Sequence, residues 1–464
     1  MRRAPFLCVL LGALLLAALA GAALVAAIGD AGWWTSYAPE KGAPYSSSDI
    51  AMLPGGTGLV CGSVDIDERK APLVPTVYRT TDGGETWTGG SPIEVYGQLS
   101  GVAFSDAQHA WAVGGDYSND KQEPLLLTSA DAGQTWTRTA FTATSALESV
   151  QWPTAAVGYI TGDDGAVYAT TDGGAHWTRT VAGADDVLLS GISFVDATHG
   201  WVCGGQGNEE YYGGRCYATT DGGATWKDVS PDKDMVVTAC SFVSVSEGWV
   251  VGEDQTVFHT TDGGATWDKE RLAIVPRSEL WDVHFSDARN GWVTGVFFDA
   301  GKGYDSWGLV LHTTDGGESW AQQDSGTGQL TAAVTATDAQ HAWVAYEFGL
   351  MLRTYDGGGP GIVPAGTPVT YALDAVSVRK GARASFRFRV VDPGVPRAQV
   401  RIQILDAKKH VKAILSAGWR PTEEVAAFSG KVSLKPGRYT WRAQCVDYTG
   451  VAQSSASSKP LVVK

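Results

Sequence analysis

The chain has 464 residues, with 50 Asp and Glu against 35 Lys and Arg and a formal net charge of −15 at pH 7. That balance repels phosphates and disfavours nucleic acid as a partner. Its six cysteines show no Cys-x-x-Cys or His-Cys metal spacing, and phosphate loops and serine-hydrolase signatures are absent, so neither a metal nor a cofactor is expected.

After Arg2 and Arg3 the chain runs from Ala4 to Gly29 without a charge, an export signal with the arginines on the cytoplasmic side. Ala18-Leu19-Ala20 suits cleavage, yet the run also exceeds the roughly 20 residues that span a bilayer. Residues 1–29 are therefore a signal peptide or an N-terminal membrane anchor, and the rest of the chain is expected to be extracytoplasmic, membrane-anchored or secreted.

Residues 30–360 are a repeat. The box TTDGGETW at Thr80 recurs as SADAGQTW at Ser129, TTDGGAHW at Thr170, TTDGGATW at Thr219 and Thr260, TTDGGESW at Thr313 and TYDGGGPG at Thr354. Its aspartates, Asp82, Asp131, Asp172, Asp221, Asp262, Asp315 and Asp356, are 41 to 53 residues apart. A companion phrase, as in GVAFSDAQHAWAVGG from Gly101, precedes each box. Each unit reads as strand A, a turn, strand B, a loop, strand C, the box turn and strand D, the period of a four-stranded propeller blade. The expected fold is all-β, a seven-bladed β-propeller.

The box aspartates are read as structural. A carboxylate can accept backbone N–H groups of its own turn, glycine takes positive φ, and Trp packs on neighbouring strands. The seventh box lacks its Trp, and Gly32-Trp33-Trp34-Thr35 resembles an orphan strand D, so Trp33 and Trp34 are expected to close the ring.

Cys203 and Cys216, on strands B and C of one blade, are candidates for a disulfide in an oxidising compartment; buried thiols are the alternative. His109, His199 and His341 share one turn slot, and Arg79, His259, His312 and Arg353 share one strand slot. Equivalent slots are spread around a ring, so neither set converges on a substrate. No catalytic residue is assigned.

The B–C loops are long in blades 1, 2, 4 and 6. They carry Asp116, Tyr117 and Asp120; Glu209, Glu210, Tyr211 and Tyr212; and Phe297, Phe298, Tyr304, Asp305 and Trp307. Aromatic rings beside carboxylates on loops held by a rigid ring suit partner recognition, and these residues are the candidate binding set. Asp116 with Asp120, and Asp163 with Asp164, are lesser candidates for cation capture.

GGGPGIVPAGTP marks a linker at 361–368. Residues 369–464 alternate like strands, and LKPGRYTWRAQCVDYTG resembles a hairpin of exported immunoglobulin-like domains, so a small immunoglobulin-like β-sandwich is expected. Charge divides at the linker: residues 30–364 have a balance of −28 and residues 365–464 of +11.

With the GW-V-x-G phrase ahead of each TTDGGxTW box and an export signal, the propeller resembles the photosystem II assembly and stability factor family. That resemblance implies an assembly scaffold that binds a membrane subunit through a basic patch. This propeller is acidic, with nine dispersed arginines, so a photosystem role is not carried over. What the resemblance implies is an exported, non-enzymatic scaffold of the cell envelope, with a protein partner such as a membrane protein or complex, and with membrane contact only through a retained N-terminal segment. The alternative is a carbohydrate-binding propeller or sialidase-like glycosidase. Sialidases need an Arg-Ile-Pro motif before the first box and an arginine triad, and that motif is missing.

Overall fold

The computed structural model describes residues 35–37, 46–65, 73–89, 93, 95–119, 122–183, 187–208, 211–272, 278–298, 306–323, 330–358, 368–391, 397–422, 425–447, 453 and 455–464. Residues 1–29, Trp33, Trp34 and the 361–367 part of the linker lie outside them. Among the described residues no helix is long and apolar enough to cross a membrane.

Seven antiparallel four-stranded sheets follow one another. The first consists of Ser46–Met52, Gly58–Asp65, Leu73–Thr80 and Thr88–Gly89, paired in that order. The seventh takes Thr331–Ala336, Ala342–Tyr346 and Met351–Thr354, and its fourth strand is Thr35–Tyr37 from the other end of the chain. The A strands of successive sheets are neighbours all the way round, the seventh packing back on the first. They therefore form the inner wall of the ring.

The closing strand repeats the register of the others. In the first sheet Thr88, which follows the box Trp87, pairs with Arg79; in the seventh, Thr35 pairs with Arg353. The slot of the missing box Trp thus belongs to Trp34 in the sequence.

Each box is closed by its own hydroxyl and carboxylate. In the fourth sheet Thr219 Oγ1 donates to Asp221 Oδ1 at 2.8 Å, and Thr225 donates through its N–H and hydroxyl to the two carboxylate oxygens at 2.9 and 2.5 Å. Gly222 and Gly223 have φ of 74° and 82°, which only glycine adopts without strain. The seventh box keeps the Thr354 to Asp356 bond at 2.9 Å, but Pro360 fills the position of Thr225 and has no N–H to donate.

Two devices join sheet to sheet. Strand-B tryptophans donate their indole N–H to a box glycine of the next sheet: Trp201 to Gly263 O at 3.0 Å, Trp249 to Gly316 O at 2.9 Å, and Trp343 to Gly83 O at 2.8 Å across the closure. Inner-strand side chains accept backbone N–H groups from the next inner strand. Asp49 takes Val102 N at 2.9 Å, Gln151 takes Phe194 N at 2.6 Å, Ser193 takes Phe242 N at 2.8 Å, and Asp282 takes Val334 N at 2.8 Å.

Residues 369–464 form two further sheets around one core. Val369–Ala372, Arg383–Val391, Val425–Lys431 and Ser455–Ala456 make the first; Val376–Val378, Arg397–Leu405, Val411–Pro421, Gly437–Asp447 and Ser458–Val463 make the second. Phe386, Phe388, Ile402, Ile404 and Trp441 fill the space between them. Trp419 leaves this core and packs against the apolar cluster of the fifth and sixth propeller sheets.

Candidate partner-binding face

The two rims of the ring differ. On one, the box turns meet the A–B turns, as where Gly222 N donates to Thr198 O at 3.0 Å. His109, His199 and His341 stand on this rim, each with Nδ1 within 2.8 to 2.9 Å of an aspartate of its own turn, Asp106, Asp196 and Asp338. His259 and His312 instead stack on Trp249 and Trp292, with ring centroids 4.8 and 4.4 Å apart. Both sets do local structural work, which agrees with their repeat positions.

On the other rim the B–C and D–A loops meet. Tyr117 N donates to Tyr96 O at 2.7 Å, Tyr96 N donates to Ser118 Oγ at 3.1 Å, and the two rings lie edge to face at 6.0 Å. Tyr96 is 41 % exposed, a large ring left open to solvent.

Carboxyl groups surround this pair. Asp116, at the end of strand B, is buried and held by Arg138 Nη1 at 2.7 Å and Ser118 N at 3.0 Å. Glu148 occupies the bulge of the third inner strand, between Leu147 and Ser149. Burial, and then the neighbouring Asp163, push its carboxyl up to about 8. Asp163 is raised by burial and by Asp164, although Ser145 bonds to it. Burial, followed by Glu148 and Asp163, pushes the Tyr117 hydroxyl up to about 12. Beside them a groove of about 610 Å³ is lined by Glu123, Pro124, Arg138 and residues Thr139 to Ala143.

Sequence reasoning named Asp116, Tyr117, Asp163 and Asp164 in this region but missed Tyr96 and Glu148. Glu148 was open to discovery, because the equivalent bulge positions hold Ser48, Ser100, Thr238, Trp281 and Ala332. Phe297 must be withdrawn from the binding set. Strand B of the sixth sheet extends to Phe298, and Phe297 is 1 % exposed in the core with Leu280 and Leu309. Phe298, Trp307, Tyr211 and Tyr212 lie on strands, with Trp307 opposite Phe297 and Tyr211 opposite Asn208; their side chains are outside the description. Asp120, Glu209, Glu210, Tyr304 and Asp305 also lie outside the described residues.

Of the two readings of the cysteines, the structure has buried thiols. Cys203 and Cys216 are directly opposite each other on paired strands, yet both are buried thiols outside any disulfide, as are Cys61 and Cys240. The Cys203 thiol turns instead to Cys240 of the next sheet, a hydrogen bond that with burial drives it far above the ordinary thiol range. No cluster of three or more His, Cys, Asp or Glu suited to a metal occurs among the described residues.

These features define an all-β, Asp-box (BNR-type) propeller whose two rims differ in chemistry. A family model described as photosynthesis system II assembly factor YCF48 matches residues 183–277, the fourth and fifth sheets. Two solved structures align over the ring: YCF48 bound to D1 peptide, with 17 % identity, a TM-score of 0.52 and 69 % of this chain and 94 % of that one covered; and YCF48 from Cyanidioschyzon merolae, with 18 % identity, a TM-score of 0.51 and 70 % and 98 % covered. No curated protein sequence matches. The ring is thus similar in fold to the YCF48 propellers.

Proposed function

We propose that this protein is an exported, non-enzymatic scaffold of the cell envelope that binds a protein partner through the rim bearing Tyr96 and Tyr117. The observation that carries the reading is that aromatic pair, open on one side and flanked by Asp116, Glu148 and Asp163. Exposed rings over a rigid frame supply contact area with little loss of side-chain freedom. Support comes also from the related fold of YCF48, one structure of which holds a D1 peptide. In a pull-down from envelope extract with cross-linking, the parent should retain one predominant protein. A Tyr96→Ala/Tyr211→Ala/Tyr212→Ala/Trp307→Ala variant, folded by circular dichroism, should lose it. Equal retention by both would refute this rim as the binding surface.

The nearness of Glu148 and Asp163, both raised, keeps a carbohydrate-active reading in play, because glycoside chemistry uses a protonated and an ionised carboxyl. A glycan array and a panel of chromogenic glycosides test it, and blanks on both would remove it.

A further inference from the structure

Three cysteines meet at one joint of the ring. Cys203 on strand B and Cys216 on strand C of the fourth sheet share a buried cluster with Cys240, which the fifth inner strand contributes from the other side of the joint. Cys240 Sγ stands 3.9 Å from Trp201 O, two residues ahead of Cys203 on the same strand. Gly191, the inner-strand partner of Cys203, keeps the gap between the sheets narrow: a Cβ there would meet Cys203 Sγ at 2.6 Å and Cys240 N at 3.2 Å. The same small volume thus touches the Cys203 sulfur and the Cys240 backbone. The repeat does not ask for sulfur here, since all six other sheets have Ile or Val in the slot of Cys240, among them Val150 and Val283. Cys61 lies in the cluster of the first two sheets and Cys445 in the core of residues 369–464, so neither reaches this joint.

Two pairings are open to Cys203. Cys216 donates its N–H to Ser230 Oγ at 3.0 Å and accepts Val229 N at 2.9 Å, so its backbone bonds point away from Cys203. The two are therefore a non-hydrogen-bonded cross-strand pair, with Cα atoms about 4.5 Å apart, the short limit for a disulfide. A bridge there would join strands already paired along their whole length. A bridge from Cys203 to Cys240 instead ties one sheet to the next and closes a longer loop, which constrains the unfolded chain more.

We propose that Cys203 and Cys240 form a disulfide across the joint between the fourth and fifth sheets when the chain folds in an oxidising compartment. The export proposed above supplies that compartment. Each thiol loses its hydrogen and the sulfurs join. The two electrons and two protons pass to a disulfide oxidant, either glutathione disulfide or an exported dithiol oxidoreductase, which becomes two thiols. The bond forms as the sheets come together. Once the joint is closed, the sulfurs are enclosed and the Cys203 thiol is kept protonated by its bond to Cys240 and by burial, so the folded thiol form resists oxidation.

The test refolds the full chain from guanidinium in a glutathione redox buffer and, in parallel, in excess dithiothreitol, followed by alkylation and tryptic digestion. Cleavage after Arg215, Lys227 and Lys233 puts each of the three cysteines on its own peptide. In glutathione, residues 180–215 should be recovered linked to residues 234–269, two hydrogens lighter than the separate thiol peptides; in dithiothreitol all three peptides should be alkylated. The linked form should melt about 5 °C above the thiol form. Cys216→Val should keep the link and Cys240→Val should abolish it; both restore a residue that the repeat uses in the same slot, as at Val77 and Val102, and so preserve the packing. The proposal is overturned if no link forms in glutathione, if Cys203 is found joined to Cys216, or if Cys240→Val leaves Cys203 equally protected from alkylation. The same digest of protein taken from cells and quenched in acid separates the site from its setting: a link made on refolding but missing from the cellular protein would reject export and leave the pairing standing.

Discussion

Aspartate does opposite work at the two ends of these sheets. In the boxes it is exposed and surrounded by donors: the hydroxyl of Thr225, its N–H and then Thr219 hold Asp221 down to about 2. On the inner wall, burial outweighs the donated N–H groups and lifts Asp49 to about 6 and Asp282 to about 7, the latter helped by repulsion from Asp49. A carboxyl raised above its ordinary value of about 3.9 makes the folded chain hold more protons than the unfolded one between about pH 4 and 7, so its contribution to stability falls as pH rises through that window. Asp282→Asn, which cannot ionise and keeps a single acceptor for Val283 N and Val334 N, should be less stable than the parent by about 1–2 kcal/mol at pH 5. The gap should narrow steadily by pH 8, read from urea denaturation at several pH values; a gap independent of pH would show that Asp282 titrates normally. The box aspartates were legible because seven copies share them. Asp49 and Asp282 were not, since five of the seven equivalent positions hold Gly101, Ser149, Gly191, Ala239 and Ala333, and the burial that raises them exists only once the ring is formed.

At the scale of strands and turns, the repeated Trp and the repeated box prove to be two halves of one joint. Period and pattern revealed both elements, but not that the indole of one sheet reaches the glycine carbonyl of the next. For Trp343 and Gly83 the partners are 260 residues apart. Trp292 provides an internal comparison, because it is equally enclosed but its Nε1 has no hydrogen-bond partner among the described residues. Trp343→Phe should therefore cost about 1 kcal/mol more than Trp292→Phe, the net value of a buried hydrogen bond, in equilibrium unfolding. Equal costs would mean that the indoles act by packing alone. The same limit explains Phe297: a long B–C connection hides where strand B stops, and the hairpin continues past the point where the loop was expected to begin.

For the whole molecule, the decisive contact is the one that joins its two distant stretches. Without Thr35–Tyr37 the seventh sheet would end on strand Met351–Thr354, leaving unpaired N–H and C=O groups beside an exposed row of the ring. An open edge of that kind recruits another strand, in this setting from a second chain. A chain beginning at residue 40 should therefore unfold at a lower temperature than one beginning at residue 30, and should form concentration-dependent oligomers visible by size-exclusion chromatography with light scattering. Supplying a peptide of residues 30–40 in trans should reverse the association, because the register that pairs Thr35 with Arg353 is the one every other sheet uses, as in Thr88 with Arg79. If the shortened chain stays monomeric and equally stable, the ring is held by the indole joints and inner-strand clasps, and the terminal strand is an ornament on a structure already closed between its inner walls.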